Sequence, residues 1–335
     1  MSISRAIPLG ALIFILAGRA SAAVLVDFDR ASPPSFDLFE TIRGMPGPDL
    51  GGALPHARPV AAAAERVVVA SEGAAVVGWE DFASAISRSA VVYAGEQHDQ
   101  ALHHAVQLEV LKEAHRRAGR AVMGIEMVDI TRQKVLDDFM AGRMSEDEFA
   151  LFWKKAWGFA WELYRPLFVY AKESSIPVRA LNAPSSVIRN IAKFGLAGLA
   201  PEERKLLPER VDPIVEPRYL AYVKKMINGH GQLDPAREAR MLEAMAAWNE
   251  TMGQSVVDVL SKGEGPVVVI AGMGHMLYRA GIGESVSRRA AVRQSFVLPY
   301  PLDDTTRPLP ELLKELQDPG SEEISMADFF SLNPE

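Results

Sequence analysis

The chain contains no cysteine among its 335 residues. Disulfide bridges, thiolate metal sites, a cysteine nucleophile and lipid attachment through a lipobox cysteine are therefore excluded. Long apolar runs are missing as well. Beyond the N-terminus no segment approaches the ~20 apolar residues that a membrane helix needs, so the mature chain is expected to have no membrane span. Excess positive charge is also lacking. Lys and Arg total 36 against 43 Asp and Glu, for a formal net charge of -7. With no basic run and no aromatic RNA-binding motif, that balance argues against a nucleic-acid partner. Histidine is scarce too, and three of the seven lie within "YAGEQHDQALHHAVQLEVL", residues 93–111.

The N-terminus, "MSISRAIPLGALIFILAGRASA", places Arg5 before an uncharged run from Ala6 to Gly18, followed by Ala20-Ser21-Ala22. This three-part pattern predicts a secretory signal peptide over 1–22, cleaved near Ala22, and a periplasmic or secreted protein. Residues 23–64, with Pro33, Pro34, Pro46, Pro48, Pro55 and Pro59, read as a loosely structured lead-in.

From residue 65 the pattern alternates. A hairpin over about 66–78 runs into a short helix from Trp79. "SAVVYAGE", "AVMGIEM", "IPVRALN" and "GPVVVIAG" read as four short apolar strands, and "VRQSFVLPY" as a late fifth. Helices are expected over 100–118, across 130–174 and from about 184 to 262. Apolar strands separated by helices predict an α/β fold, a mostly parallel central sheet flanked by helices. The stretch of about 80 residues between the third and fourth strands suggests a helical insertion lobe. One domain would then span 65–300, leaving 301–335 as a proline-rich, acidic tail that is either mobile or docked through Phe329 and Phe330.

In parallel α/β sheets, ligands sit beyond the carboxyl ends of the strands. Here those ends carry Glu96 with His98, Glu126, Asn182, and Gly272 leading to His275. Two carboxylates and two imidazoles in one crevice suit either a divalent metal ion, held through His98 and His275, or general acid–base chemistry. A lone strand-end glutamate, by contrast, often just serves a helix N-terminus. His103 with Gln107 is spaced to face the same crevice, while at least one of His103 and His104 is expected at the surface. His115 and His56 read as solvated, and His230 as a loop residue.

A second feature is "FWKKAWGFAWELYRPLFVYAK". Trp153, Trp157, Trp161 and Tyr164 are spaced to share roughly an 80° arc if the segment is one helix. Such a stripe is ordinarily core packing. It also suits the wall of a flat aromatic cofactor, and a tyrosine phenolate is a known axial ligand of haem iron.

"AGEQHDQALHHAVQLEVLKEA", "MGIEMVDITRQKVLDDFMAG", "WELYRPLFVYAKESSIPVRALNAP" and "VVVIAGMGHMLYRAGI", in this order, resemble the ChaN-like haem-binding family over about residues 75–300. The family is linked to iron uptake, is often made as exported lipoproteins, and is distantly similar to the erythromycin-esterase and TIKI-protease superfamily. The resemblance implies an exported haem-binding protein of haem or iron uptake, with haem as its partner and cofactor and a homodimer enclosing paired haems. It implies Tyr164 as the iron ligand, with Tyr170 as the runner-up, and Trp153, Trp157 and Trp161 against the porphyrin. For the propionates, the nearest cations are Arg165, Arg132 and Lys172. In the wider superfamily the positions matching Glu96, His98, Glu126 and His275 serve hydrolysis or metal binding, so a hydrolase is the alternative. The chain departs from the family in lacking the lipobox cysteine, and in carrying Glu250 where an aspartate is usual.

Overall fold

The computed structural model describes residues 67–228, 233–302 and 307–334. The segment expected to be a signal peptide, the expected lead-in over 23–64, His56 and His230 lie outside the described residues.

The strands are β1 (Val68–Ala70), β2 (Ala75–Val77), β3 (Val91–Glu96), β4 (Val122–Asp129), β5 (Val178–Asn182), β6 (Val267–Gly272), β7 (Gln294–Tyr300) and β8 (Phe329–Leu332). They form one eight-stranded sheet in the order β2-β1-β8-β7-β3-β6-β4-β5. Every pairing from β8 to β5 is parallel, and β1 pairs antiparallel with both β2 and β8. β3 and β6 are buried along their whole length, as parallel strands covered on both faces must be.

Two apolar layers enclose the sheet. On one face lie α1 (Trp79–Ile86), α2 (Ala101–Ala118), α3 (Gln133–Met140), α4 (Glu146–Ala156) and α5 (Trp161–Glu173), packed on Val92, Ala94, Met123, Ile125, Val268 and Ile270. Their ends follow ordinary capping chemistry. Ser145 and Glu148 form a reciprocal capping box at the start of α4, and Gly119 closes α2 in the left-handed conformation.

On the other face, α6 (Ser185–Phe194), the single turn α7 (Pro201–Arg204), α8 (Pro217–Ile227), α9 (Pro235–Ser261), α10 (Ile282–Arg289) and α11 (Leu309–Leu316) follow in chain order. Met245, Trp248, Met252 and Val256 of the 27-residue α9 join Val91, Tyr93, Val267 and Val269 in one buried cluster. The segment between β5 and β6 is helical as expected, but it is this second layer and not a lobe standing apart. Its apolar stripe has the sheet itself to cover.

The tail is also part of the fold. Phe330 is buried, and β8 inserts between β1 and β7, so strands run to residue 332. Among the described residues no helix is long and apolar enough to cross a membrane.

Candidate functional site

The parallel pairing of β3 with β6 sets Glu96 directly beside Gly272 at the carboxyl edge. On β4, Glu126 falls where the register with β5 slips between Ile125 and Asp129, an irregularity of the kind that re-aims a side chain. Asn182 ends β5, and His275 closes a short 3-10 turn after β6. All four polar side chains are buried, and His98 is exposed by 15%. The strand ends thus meet, as the sequence suggests. Gly272 is required for that meeting, since a Cβ there would lie 2.8 Å from His98 Cε1.

Glu96 is fully engaged. Its Oε1 accepts from the Tyr164 hydroxyl at 2.5 Å and lies 2.7 Å from His98 Nδ1. Its Oε2 accepts from Gln107 Nε2 at 2.7 Å and lies 3.3 Å from His104 Nδ1. Burial would push the carboxyl up, but His104 and His98 beside it hold it far below the usual carboxylate range. For His98, burial works against the charged ring, yet the Glu96 hydrogen bond and charge, followed by the charge of Glu126, raise its pKa. His98 is also enclosed by Trp157 and Phe159, at ring separations of 4.8 and 5.0 Å.

Glu126 is less fully engaged. Oε2 accepts the Gly272 N–H at 2.7 Å. Oε1 lies 3.3 Å from His275 Nε2 and has no hydrogen-bond partner. Asn182 donates to the Glu126 carbonyl at 2.9 Å, leaving its own Oδ1 unpartnered. Burial would raise the Glu126 carboxyl, but His275, His98 and the Gly272 amide lower it. On its other side, His275 Nδ1 meets Asn249 Oδ1 at 2.8 Å.

Several expectations need correction. The Trp153/Trp157/Trp161 stripe does not lie on one helix, because α4 ends at Ala156 and Gly158 turns the chain at φ +95° before α5 begins. All three tryptophans are buried, and Trp153 and Trp161 pack with Phe149 and Phe168. They form core, not an open wall. Neither His103 nor His104 is at the surface. His103 Nδ1 accepts the Gln97 N–H at 2.9 Å, and burial, then the neighbouring His104, push its pKa down to about 4. Gln107 does reach the strand-end cluster, donating to Glu96, but its histidine partner is His104 (3.0 Å) and not His103. The divalent-metal reading has no support in the geometry. His98 and His275 each pair with a different carboxylate, and among the described residues no three His, Asp or Glu form a group that could hold a metal ion.

The two tyrosines of α5 differ sharply. Tyr164 is buried, accepts from Trp157 Nε1 at 3.1 Å and donates to Glu96. Burial and the Glu96 charge raise its pKa well above normal. Tyr170 is half-buried, with its hydroxyl 3.1 Å from His115 Nδ1 and Lys112 Nζ 5.9 Å from its ring centre. His115, expected to be solvated, thus has a partner across α2 and α5. Arg165 pairs with Glu146, Arg132 with Asp129 at 3.1 Å, and Lys172 donates to the Phe139 carbonyl.

The residues missed in the sequence are Asn249 and Tyr219. The motif "WNETM" draws attention to Glu250, but Glu250 turns away into ion pairs with Arg288 and Arg289. One helical step places its neighbour Asn249 on the crevice side.

Residues 82–286 match the family described as "Haem-binding uptake, Tiki superfamily, ChaN". Among solved structures, the chain is similar to ChaN of Campylobacter jejuni, solved with cofacial haem. The TM-score is 0.58 at 16% identity, over 79% of this chain and 96% of that one. A solved erythromycin esterase is a fainter likeness, at 10% identity and a TM-score of 0.42, over 69% of this chain and 76% of that one. Among curated proteins, RETICULATA-RELATED 5, a chloroplastic protein of Arabidopsis thaliana, is 24% identical over 225 residues, or 62% of this chain. The aligned part is 30% of that relative, so the chain spans under a third of its length. With the family's pattern running through both carboxylates and both layers of the sheet, the chain belongs to the ChaN family of haem-binding uptake proteins in the Tiki superfamily.

Proposed function

We propose that this protein is exported and binds haem in haem or iron uptake. The observation that carries the reading is the family match over residues 82–286, supported by a fold shared with a cofacially haem-binding ChaN. The signal-peptide pattern of residues 1–22 supports export.

The tyrosines bear on where haem would sit. A phenolate ligand needs an oxygen that can face the iron and give up its proton. Tyr164 does not fit that role as folded, because its oxygen is buried and shared between Glu96 and Trp157. Tyr170 fits better. It is half-buried, and the adjacent His115, in the last turn of α2, can take the phenol proton. Lys112 beside the ring supplies positive charge for a propionate. A homodimer pairing two such faces follows the cofacial arrangement of the Campylobacter protein.

A hemin titration followed by absorbance tests this. Saturable binding with a phenolate-type ferric spectrum is expected in the wild type and in Tyr164→Phe, and its loss in Tyr170→Phe. Loss in Tyr164→Phe alone would return the ligand to the buried tyrosine, and no binding by the wild type would remove the haem reading.

One observation favours a second reading. Glu126 Oε1, without a hydrogen bond and 3.3 Å from His275 Nε2, forms with it a carboxylate–imidazole pair of the kind a hydrolase uses for acid–base chemistry. Hydrolysis of simple aryl esters, abolished by Glu126→Gln and His275→Ala, is what this reading expects. The same rate in both variants as in the wild type would exclude it.

A further inference from the structure

His275 is held from behind by a chain of hydrogen bonds whose direction is fixed at its far end. Tyr219 Oη lies 2.8 Å from the Gly274 carbonyl oxygen, which can only accept, so the single hydroxyl proton points there. Tyr219 must then accept from Asn249, whose Nδ2 lies 2.9 Å away. That orients the amide and leaves Asn249 Oδ1 facing His275 Nδ1 at 2.8 Å. An amide oxygen can only accept, so Nδ1 must carry a hydrogen. All three side chains are buried, so water does not compete.

We infer that Asn249 and Tyr219 are positioning residues that hold His275 in its Nδ1–H form. In the neutral ring Nε2 is then the nitrogen without a hydrogen. When it is unprotonated, Nε2 and the unpartnered Glu126 Oε1, 3.3 Å apart, are two acceptors facing each other. Asn182 Oδ1, whose amide nitrogen holds the Glu126 carbonyl, is a third acceptor without a donor on the neighbouring strand. Such a set receives a hydrogen-bond donor: the hydroxyl of a bound ligand or a water. The titratable groups around the ring are Glu126 on the Nε2 side, His98 beyond it and Tyr219 behind. Trp248 covers one ring face at 4.5 Å. The inference holds whether the ligand is haem or a hydrolysable substrate, because it concerns the resting protonation of this chain.

The test is long-range 1H–15N correlation on the full chain labelled at histidine, followed from about pH 5 to about pH 9, across the ordinary histidine range. His275 is assigned by the resonance lost in His275→Gln. The expected wild-type result is a neutral ring with its hydrogen on Nδ1, that form being favoured about tenfold, the worth of one hydrogen bond. Asn249→Leu should reverse that preference. Asn249→Asp, which keeps an acceptor facing the ring, should retain it. If Asn249→Leu fails to fold, the wild-type spectrum and Tyr219→Phe, expected to weaken the preference, decide the matter. A neutral ring protonated on Nε2 in the wild type, or an undiminished preference for the Nδ1–H form in Asn249→Leu or Tyr219→Phe, would overturn the inference.

Discussion

The centre of the molecule holds two carboxylates that look alike in the sequence and differ in the structure. Glu96 and Glu126 both sit at the carboxyl edge of the parallel sheet, both are buried, and both are held below the usual carboxylate range by histidines. Glu96 takes three hydrogen bonds, from Tyr164, His98 and Gln107, with His104 Nδ1 3.3 Å away. Glu126 has one hydrogen bond, from the Gly272 amide, and its other oxygen has no hydrogen bond and lies 3.3 Å from His275 Nε2. A buried carboxylate with both oxygens hydrogen-bonded is a structural fixture. A buried charge with one left over retains capacity for something not yet bound. The first half therefore orients His98, and the second is where a ligand's donor would be received.

Variants of the two halves should separate them. The largest effect is expected at Glu96. Removing its charge in Glu96→Gln strands several buried donors and should cost about 3–5 kcal/mol of unfolding free energy, measured by urea titration. A loss below about 1 kcal/mol would mean the four contacts are not a unit.

Next is the pH response of His103, which borders the closed half. Its folded-state pKa is lowered to about 4 from 6.5, chiefly by burial, so the unfolded chain takes up the proton first as the pH falls. Its contribution is complete above the ordinary histidine value and disappears between about pH 6.5 and pH 4, by about 3 kcal/mol. Glu96 and Glu126, also lowered, lose theirs only at more acid pH. His98, raised, acts oppositely. Its contribution is full below the ordinary histidine value and is lost as pH climbs through the raised one. Stability profiles of the wild type and His103→Asn should diverge in that acid window, and parallel curves would contradict the assignment.

A smaller effect is expected at the seam. In Gly272→Ala the new methyl meets His98 at a distance real contacts do not show, so His98 must shift, at about 1–3 kcal/mol. An unchanged His98 ring resonance in that variant would show that the two halves are not in contact there.

Much of the fold was readable before the structure. "VVYAGE" and "VVVIAG" are short apolar runs because parallel strands here are covered on both faces, and that pattern survives in one dimension. The meeting of Glu96, Glu126, Asn182 and His275 was readable for the same reason, since strand ends in such sheets converge. β8 is hard to read from sequence because its partners, β1 and β7, lie far away in the chain and a four-residue strand carries little signal. The tryptophan stripe misled because the break at Gly158 leaves the spacing of the flanking aromatics intact. Asn249 carries no sequence signal because an uncharged amide in a long helix looks like any polar position. Its role depends on the Gly274 carbonyl behind Tyr219, which no spacing encodes.

The smallest expected effect is the most telling. In Glu126→Gln the amide keeps an oxygen for the Gly272 N–H and offers Nε2–H to His275 Nε2, filling the gap that the carboxylate leaves. Its cost should stay within about 1 kcal/mol. The most direct test of the closed-versus-open account is therefore the unfolding free energy of Glu96→Gln and Glu126→Gln measured side by side. The account predicts that Glu96→Gln is the worse by about 2 kcal/mol or more. Equal losses would contradict it, because Glu126 would then be as fully engaged as Glu96.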